Sequence, residues 1–110
     1  MSARYELKRS QDRKFFWTLQ ADNNENLLTS ETFPAKASAQ NGIESAKGNS
    51  RFDDRYKRYR ASDNQYYFVL RGANNEVLAT GETYPTQQAI EHGIAACKRY
   101  GPTAPVVDLT

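Results

Sequence analysis

The chain predicts an α+β fold of two tandem, pseudo-symmetric units, and three observations predict it. The sequence repeats itself at a spacing of 51 residues. Each copy opens with short segments rich in aromatic or β-branched residues and bounded by polar clusters, which is strand chemistry. Each copy then changes to a helical period after a proline, Pro34 or Pro85.

Laid over 55 to 98, positions 4 to 47 match without a gap at sixteen of 44 places, among them Arg4/Arg55, Tyr5/Tyr56, Leu19/Leu70, Asn23/Asn74, Asn24/Asn75, Pro34/Pro85, Gly42/Gly93 and Ile43/Ile94. Such a repeat sets the architecture before any local reading does, and it makes each copy a control on the other. Two units are too few for a solenoid. A pseudo-twofold domain spanning 1 to 110 is expected, with repeats at about 4–54 and 55–110, by analogy with a symmetric dimer fused into one chain.

The first strands are Tyr5 to Arg9 and Tyr56 to Arg60, and the second are Phe15 to Gln20 and Tyr66 to Arg71. Asn23-Asn24 and Asn74-Asn75 follow, and asparagine tolerates the positive φ that a two-residue hairpin turn needs at both central positions. The third strands run from about Asn26 to Ser30 and Val77 to Gly81. With that turn Leu19 faces Leu28, Trp17 faces Ser30, Leu70 faces Ala79 and Phe68 faces Gly81, so a small residue lies opposite each large ring. Beyond the prolines, Ala39, Gly42, Ile43 and Ala46 match Ile90, Gly93, Ile94 and Cys97 as the apolar stripe of a helix. Thr86 can cap its helix and Ala35 cannot. The recurring glycine costs about 1 kcal/mol in helix propensity, which points to close packing of helix on sheet.

The Asn-Asn-Glu turn, the stretch Ala-Ser-Ala-Gln-Asn-Gly-Ile-Glu-Ser-Ala-Lys at 37 to 47 and the stretch Gln-Gln-Ala-Ile-Glu-His-Gly-Ile-Ala-Ala-Cys-Lys at 87 to 98 resemble the tandem YegP-like family of uncharacterised small proteins. The resemblance covers nearly the whole chain. It implies two β3-αβ units sharing one antiparallel sheet, with exchanged C-terminal strands, and it implies no activity. The chain departs from the family pattern in having Asn-Asn where Asn-Gly is common, Ala35 in place of a Ser or Thr cap, and the added Pro34 and Pro85. The exchange fits Pro105 to Leu109, a late apolar stretch that the 51-residue shift lays over the first strand of the second unit. Arg55 to Arg60 would end one unit and begin the next, while Val106 to Leu109 fills the equivalent place in the other half. Loss of residues 104 to 110 is then expected to cost several kcal/mol.

The composition excludes several functions. Fifteen Lys and Arg against thirteen Asp and Glu leave +2, so there is no strong field to draw nucleic acid or membrane from a distance. The longest apolar run, Tyr66 to Leu70, is far short of the roughly 20 residues of a membrane helix. One cysteine cannot form an internal disulfide, and the charged start is unlike a signal peptide, so a cytoplasmic monomer is expected. Cys97 reads as a core residue and His92 as a solvated helix residue without an orienting partner. The recurring carboxylates Asp12/Asp63, Glu25/Glu76 and Glu31/Glu82 could form an acid–base pair across the pseudo-twofold axis, but each lies at a turn or strand end, where solvated charge is commonplace. No phosphate loop, HExxH or EF-hand loop occurs, so no catalytic residue, metal ligand or cofactor is assigned.

What remains is a surface. If both helices cover one face of the sheet, alternation places Phe16, Thr18, Gln20, Tyr67, Val69 and Arg71 on the other, with Lys8, Lys57 and Tyr59 in the same phase. Phe16, Tyr67, Arg71, Lys57 and Tyr59 are therefore the candidate contact residues of a non-catalytic interaction module whose partner the sequence does not identify, a protein being one candidate. Single-stranded nucleic acid is the alternative, because aromatics among basic residues stack bases and neutralise phosphates. A small enzyme at the pseudo-twofold axis is the third reading. The basic junction from Arg51 to Arg60 puts Arg58 at the inward place of Leu7, where a charge is expected to snorkel out at a sheet edge.

Overall fold

The structure is a computed structural model that describes residues 2–110. Its elements follow the repeat: β1 (Arg4–Arg9), β2 (Phe15–Gln20), β3 (Asn26–Thr29) and α1 (Lys36–Asn49), then β4 (Tyr56–Arg60), β5 (Tyr66–Arg71), β6 (Val77–Thr80), α2 (Gln87–Tyr100) and a last short strand, β7 (Val106–Asp108). One seven-stranded sheet has the order β4-β5-β6-β3-β2-β1-β7. The inward side chains of the strands, Tyr5, Leu7, Trp17, Leu19, Leu28, Tyr56, Phe68, Leu70 and Ala79, form a single core with Ala39, Ile43, Ala46, Ile90, Ile94 and Cys97 of the helices.

The strand-to-strand register is the expected one, but the turns that produce it are not. Leu19 faces Leu28 and Leu70 faces Ala79, and the Ser30 and Gly81 amides donate to the carbonyls of Trp17 and Phe68. Instead of two-residue turns, the chain makes three-residue turns: the Ala21 amide donates to Glu25 O, and the Asn24 amide to Ala21 O. Only the second asparagine of each pair has positive φ, 68° at both Asn24 and Asn75. The first uses its side chain instead, Asn23 Oδ1 accepting from the Glu25 amide and Asn74 Oδ1 from the Glu76 amide. The turn thus holds one residue more than expected, and a bulge after Leu19 and after Leu70 restores the register.

Small residues let the layers meet. A Cβ on Gly42 would lie 2.8 Å from Trp17 Nε1, and one on Gly81 would lie 2.6 Å from the Phe68 ring. Gly93 has Phe68 and Tyr84 against it, so the recurring helix glycine does mark close packing. Thr86 Oγ1 accepts from the Ala89 amide as a helix cap, whereas Ala35 leaves the start of α1 without a side-chain cap.

The helices join the halves. The central strands β3 and β6 share one paired position, Thr29 with Thr80. By contrast α1 packs on β1 and β2 of its own half and on β5 and β6 of the other, while α2 packs on β5 and reaches β3. The helix C-termini meet face to face, a Cβ on Gly101 falling 2.6 Å from the Ser50 Cβ. There the Tyr5 hydroxyl of β1 donates to the carbonyl of Gly101, at the end of α2, at 2.7 Å. The Tyr56 hydroxyl of β4 donates to the carbonyl of Ser50, at the end of α1, at 2.5 Å. Each half's first strand caps the other half's helix.

The exchange of C-terminal strands is present in a form that corrects the expected sheet. Six strands are antiparallel, but β7 runs parallel to β1 and outside it, so the sheet is mixed. The reason is where the helices end. α1 delivers the chain to the start of β4, which the chain then becomes. α2 delivers it to the start of β1, where that place is already filled, so the chain lies alongside and runs the same way, with the Tyr5 amide donating to Pro105 O and the Leu109 amide to Leu7 O. Val106 to Leu109 therefore adds a seventh strand rather than filling the counterpart of β4.

Two predictions follow from this geometry. Tyr5→Phe and Tyr56→Phe should each destabilise by about 1–3 kcal/mol in urea unfolding, because each leaves a buried helix-end carbonyl without its donor. Deletion of 106–110 should cost about 2 kcal/mol, the worth of its main-chain bonds, rather than the several expected from sequence. Val106 and Leu109 are still 42% and 57% exposed, so little apolar burial goes with them; a loss above about 4 kcal/mol in the same assay would contradict this account.

Candidate contact surface on the open sheet face

The face turned from the helices is not equally built in its two halves. In the first half it is a polar network: Gln20 Nε2 donates to Thr18 Oγ1 and to Asn26 Oδ1, and Asn26 Nδ2 donates to Thr29 Oγ1 and to Glu82 Oε1. Glu6 lies between Arg4 at 2.8 Å and Lys8 at 3.2 Å. Partial desolvation raises the Glu6 carboxyl, but the hydrogen bonds and charge of Lys8 and Arg4 outweigh it and hold the group below the usual carboxylate range. Phe16 belongs to this half, with the Lys8 ammonium 5.9 Å from its ring centre.

The second half has Val69, Arg71 and Val77 where the first has Thr18, Gln20 and Asn26. Tyr59 of β4 and Tyr67 of β5 are cross-strand partners and stack, with ring centres 5.2 Å apart and planes at 24°. Arg71 is held over the sheet, Nη2 donating to the Tyr59 hydroxyl at 2.9 Å and Nη1 to the Asn75 carbonyl at 2.8 Å. Lys57 pairs with Val69, which the surrounding side chains cover.

Of the five candidate residues, Lys57, Tyr59, Tyr67 and Arg71 come together, and Phe16 stands apart across β3 and β6. Phe16, Tyr67 and Arg71 are half-buried rather than open to water, because neighbouring long side chains lean over them; Tyr59 is the exposed ring. Val77, 39% exposed, extends the cluster on β6, and sequence reasoning missed it. Its signal was available: Asn26 is its counterpart, and a polar-to-apolar change at an outward position is visible in the repeat.

The chemistry-bearing residues elsewhere are dispersed. His92 is exposed, and Cys97 is buried. Asp63 accepts from the Gln65 amide and Asp12 from the Ser10 hydroxyl; the Ser10 bond holds the Asp12 carboxyl below its usual range. Glu76 accepts from Asn74, and Glu82 from Asn26. Among the described residues no three His, Cys, Asp or Glu side chains are grouped as a metal site would require. Arg58 occupies the place of Leu7 as expected, and its guanidinium turns out to Glu91 at 2.5 Å and Asp53 at 3.0 Å.

Fold and surface together define a class: a tandem α+β module, pseudo-twofold, with helices on one sheet face and an asymmetric open face. The chain belongs to the family described as domain of unknown function DUF1508, whose model matches it twice, at residues 10–56 and 61–108. It is 44% identical over 110 residues to a UPF0339 protein of Acinetobacter baylyi, covering 100% of this chain and 99% of that one. It is 39% identical to the UPF0339 protein YegP of Escherichia coli K12, over the full length of both. The solution NMR structure of E. coli yegP, described as a protein of unknown function, superposes with a TM-score of 0.93 at 39% identity, over 100% of this chain and 95% of that one. That of a UPF0339 protein from Shewanella oneidensis superposes with a TM-score of 0.92 at 38% identity, over 100% and 93%. The family's α+β fold with two repeats is thus the fold of this chain.

Burial also dictates a pH response. It pushes the Cys97 thiol up to about 12 and the Tyr84 phenol to about 12, and it raises the phenols of Tyr5 and Tyr56 further, with Cys97 adding to each. The unfolded chain releases these protons from about pH 8.5 for the thiol and about 10 for the phenols, while the folded chain keeps them. Stability should therefore be flat between about pH 7 and 8 and fall above it. Urea midpoints between pH 7 and 11 measure this, and Cys97→Ala, which copies Ala46, should remove the decline between about pH 8.5 and 10.

Proposed function

We propose that the chain is a non-catalytic protein-interaction module, acting as a cytoplasmic monomer without a cofactor, that binds its partner through the second half of the open sheet face. Lys57, Tyr59, Tyr67, Arg71 and Val77 are the contact residues, and Phe16 is left out of the site. The observation that carries this reading is the contrast between repeats. Both copies build the same sheet, so outward residues required by the fold should recur, yet the polar network of Thr18, Gln20 and Asn26 is replaced by Val69, Arg71 and Val77. Paired rings with a fixed guanidinium offer rigid contact area at small entropic cost.

A protein partner suits the face better than single-stranded nucleic acid. Glu6 is ion-paired with both Arg4 and Lys8, and Glu82 stands beside Asn26 on the same face, so a phosphate chain crossing the sheet would meet carboxylates. The cytoplasmic assignment draws on the single buried cysteine and on the absence of any helix long and apolar enough to cross a membrane among the described residues.

A photo-crosslinking residue at position 67 in living cells tests the proposal. Discrete protein adducts are expected, and Tyr59→Ser with Arg71→Glu should abolish them while leaving the melting temperature within a few degrees. Adducts from position 92 on α2 but none from position 67 would move the site off this face. Saturable amide shifts at 57, 59, 67 and 71 on addition of a mixed-sequence single-stranded DNA at about 150 mM salt would replace the protein by nucleic acid.

A further inference from the structure

β7 and its seat on β1 have a counterpart in the other half that is unfilled. β7 lies between the outer edge of β1 and the side of α1: the Leu109 amide donates to Leu7 O, Val106 lines a small cavity together with Gln40 and Ile43, and Asp108 is bonded to Lys36 at 2.6 Å. Shifted by 51 residues, Tyr5 and Leu7 become Tyr56 and Arg58 of β4, Lys36 becomes Gln87, and Gln40 becomes Glu91. Beyond β4 no strand lies among the described residues. A groove of about 560 Å³ lies there, between Arg58 and Arg60 of β4 and Gln87, Ile90 and Glu91 of α2.

From this we infer that the outer edge of β4 is a strand-addition site for an extended acidic segment of a partner protein, which pairs parallel to β4 as β7 pairs with β1. The direction and register are those of the internal example from Arg58 onward; the Tyr56 amide, counterpart of the Tyr5 amide that takes Pro105 O, already donates to Asp53 O. The residue opposite Lys57 points to the open face, and the residue opposite Arg58 points into the groove beside Gln87. Acidity follows from the charges left over. Arg58 is engaged by Glu91 and Asp53, but Lys57 and Arg60 have no ion-pair partner among the described residues. The same cations oppose a second copy of the chain, because antiparallel pairing of two β4 edges would gather Lys57, Arg58 and Arg60 of both copies along one seam. The site is an edge rather than the open face, and does not depend on the function proposed above.

The test uses the full chain, ¹⁵N-labelled, and as probe an acetylated heptapeptide with the sequence of residues 104–110 carrying Val107→Glu, which puts a carboxylate opposite Lys57. Saturable amide shifts confined to 56–60 and 87–91 are expected, with slowed hydrogen exchange at the Arg58 amide. N-methylation of the probe at the Leu109 position should weaken binding about tenfold or more, since that amide bonds the neighbouring strand. N-methylation at the Asp108 position, whose amide points away, should not. Lys57→Glu should reverse the preference toward a probe with lysine at the 107 position, and Tyr67→Ser, which disables the open face, should leave probe binding unchanged. No saturable shift at millimolar probe, shifts at β1 and β7 instead, equal loss from both methylations, or dimerisation through β4 without probe would each overturn the inference.

Discussion

Two crossed hydrogen bonds at the pseudo-twofold axis hold the rest of the structure to its shape. The sheet does little of this, because its central strands share one paired position, Thr29 with Thr80, and the other pairing between the repeats is the three-residue edge strand β7 on β1. The join is made instead where the helices end, with Tyr5 capping α2 and Tyr56 capping α1. Neither tyrosine serves its own unit's helix, so neither unit can complete itself. A carbonyl at a buried helix end has no other donor within reach, which makes the hydroxyl a requirement rather than an addition. Each ring is fixed in turn by an edge-on aromatic neighbour of its own half, Trp17 for Tyr5 and Phe68 for Tyr56.

From that join the chain path follows. A helix whose end is held at the far half must cross the axis, and the segment after it must emerge beside the far half's first strand. In the middle of the chain that segment is the first strand, and the fusion is seamless. At the end of the chain it meets a strand already in place and becomes a parallel edge. The single parallel pair in an otherwise antiparallel sheet is thus the mark left by joining two exchanged units end to end, and the unmatched edge of β4 is its complement.

Most of this was legible in the residues because the repeat doubled every signal. Trp17 with Ser30 and Phe68 with Gly81, Gly42 with Gly93, and Thr86 against Ala35 could each be read from local pattern and confirmed by the other copy. The turns were misread because two adjacent asparagines satisfy two different turn chemistries, and only the side-chain bonds from Asn23 and Asn74 choose between them. The register survived because an added turn residue and a bulge cancel, a compensation that alternation alone does not reveal. The parallel course of β7 depends on where α2 stops in space, which no three-residue strand encodes. At the open face, alternation found the right side of the sheet but could not show that Phe16 and Tyr67 lie on opposite sides of the two central strands.

The same doubling separates what the fold needs from what the surface is for. Where inward positions differ they stay uncharged, as Trp17 and Phe68 or Ser30 and Gly81, with one exception at Leu7 and Arg58. That exception lies on the strand with the open edge, and a leucine there would leave apolar surface at an unpaired edge, where it would template aggregation. Arg58 instead carries its charge out to Glu91 and keeps the groove polar. On β1 the leucine is tolerable because β7 pairs alongside that strand and its edge is not open. The substitution and the extra strand are therefore a single adaptation: the half whose edge is paired keeps its leucine, and the half whose edge is open presents cations. An edge kept open, soluble and repelled by its own copies is one that can accept a strand of different charge.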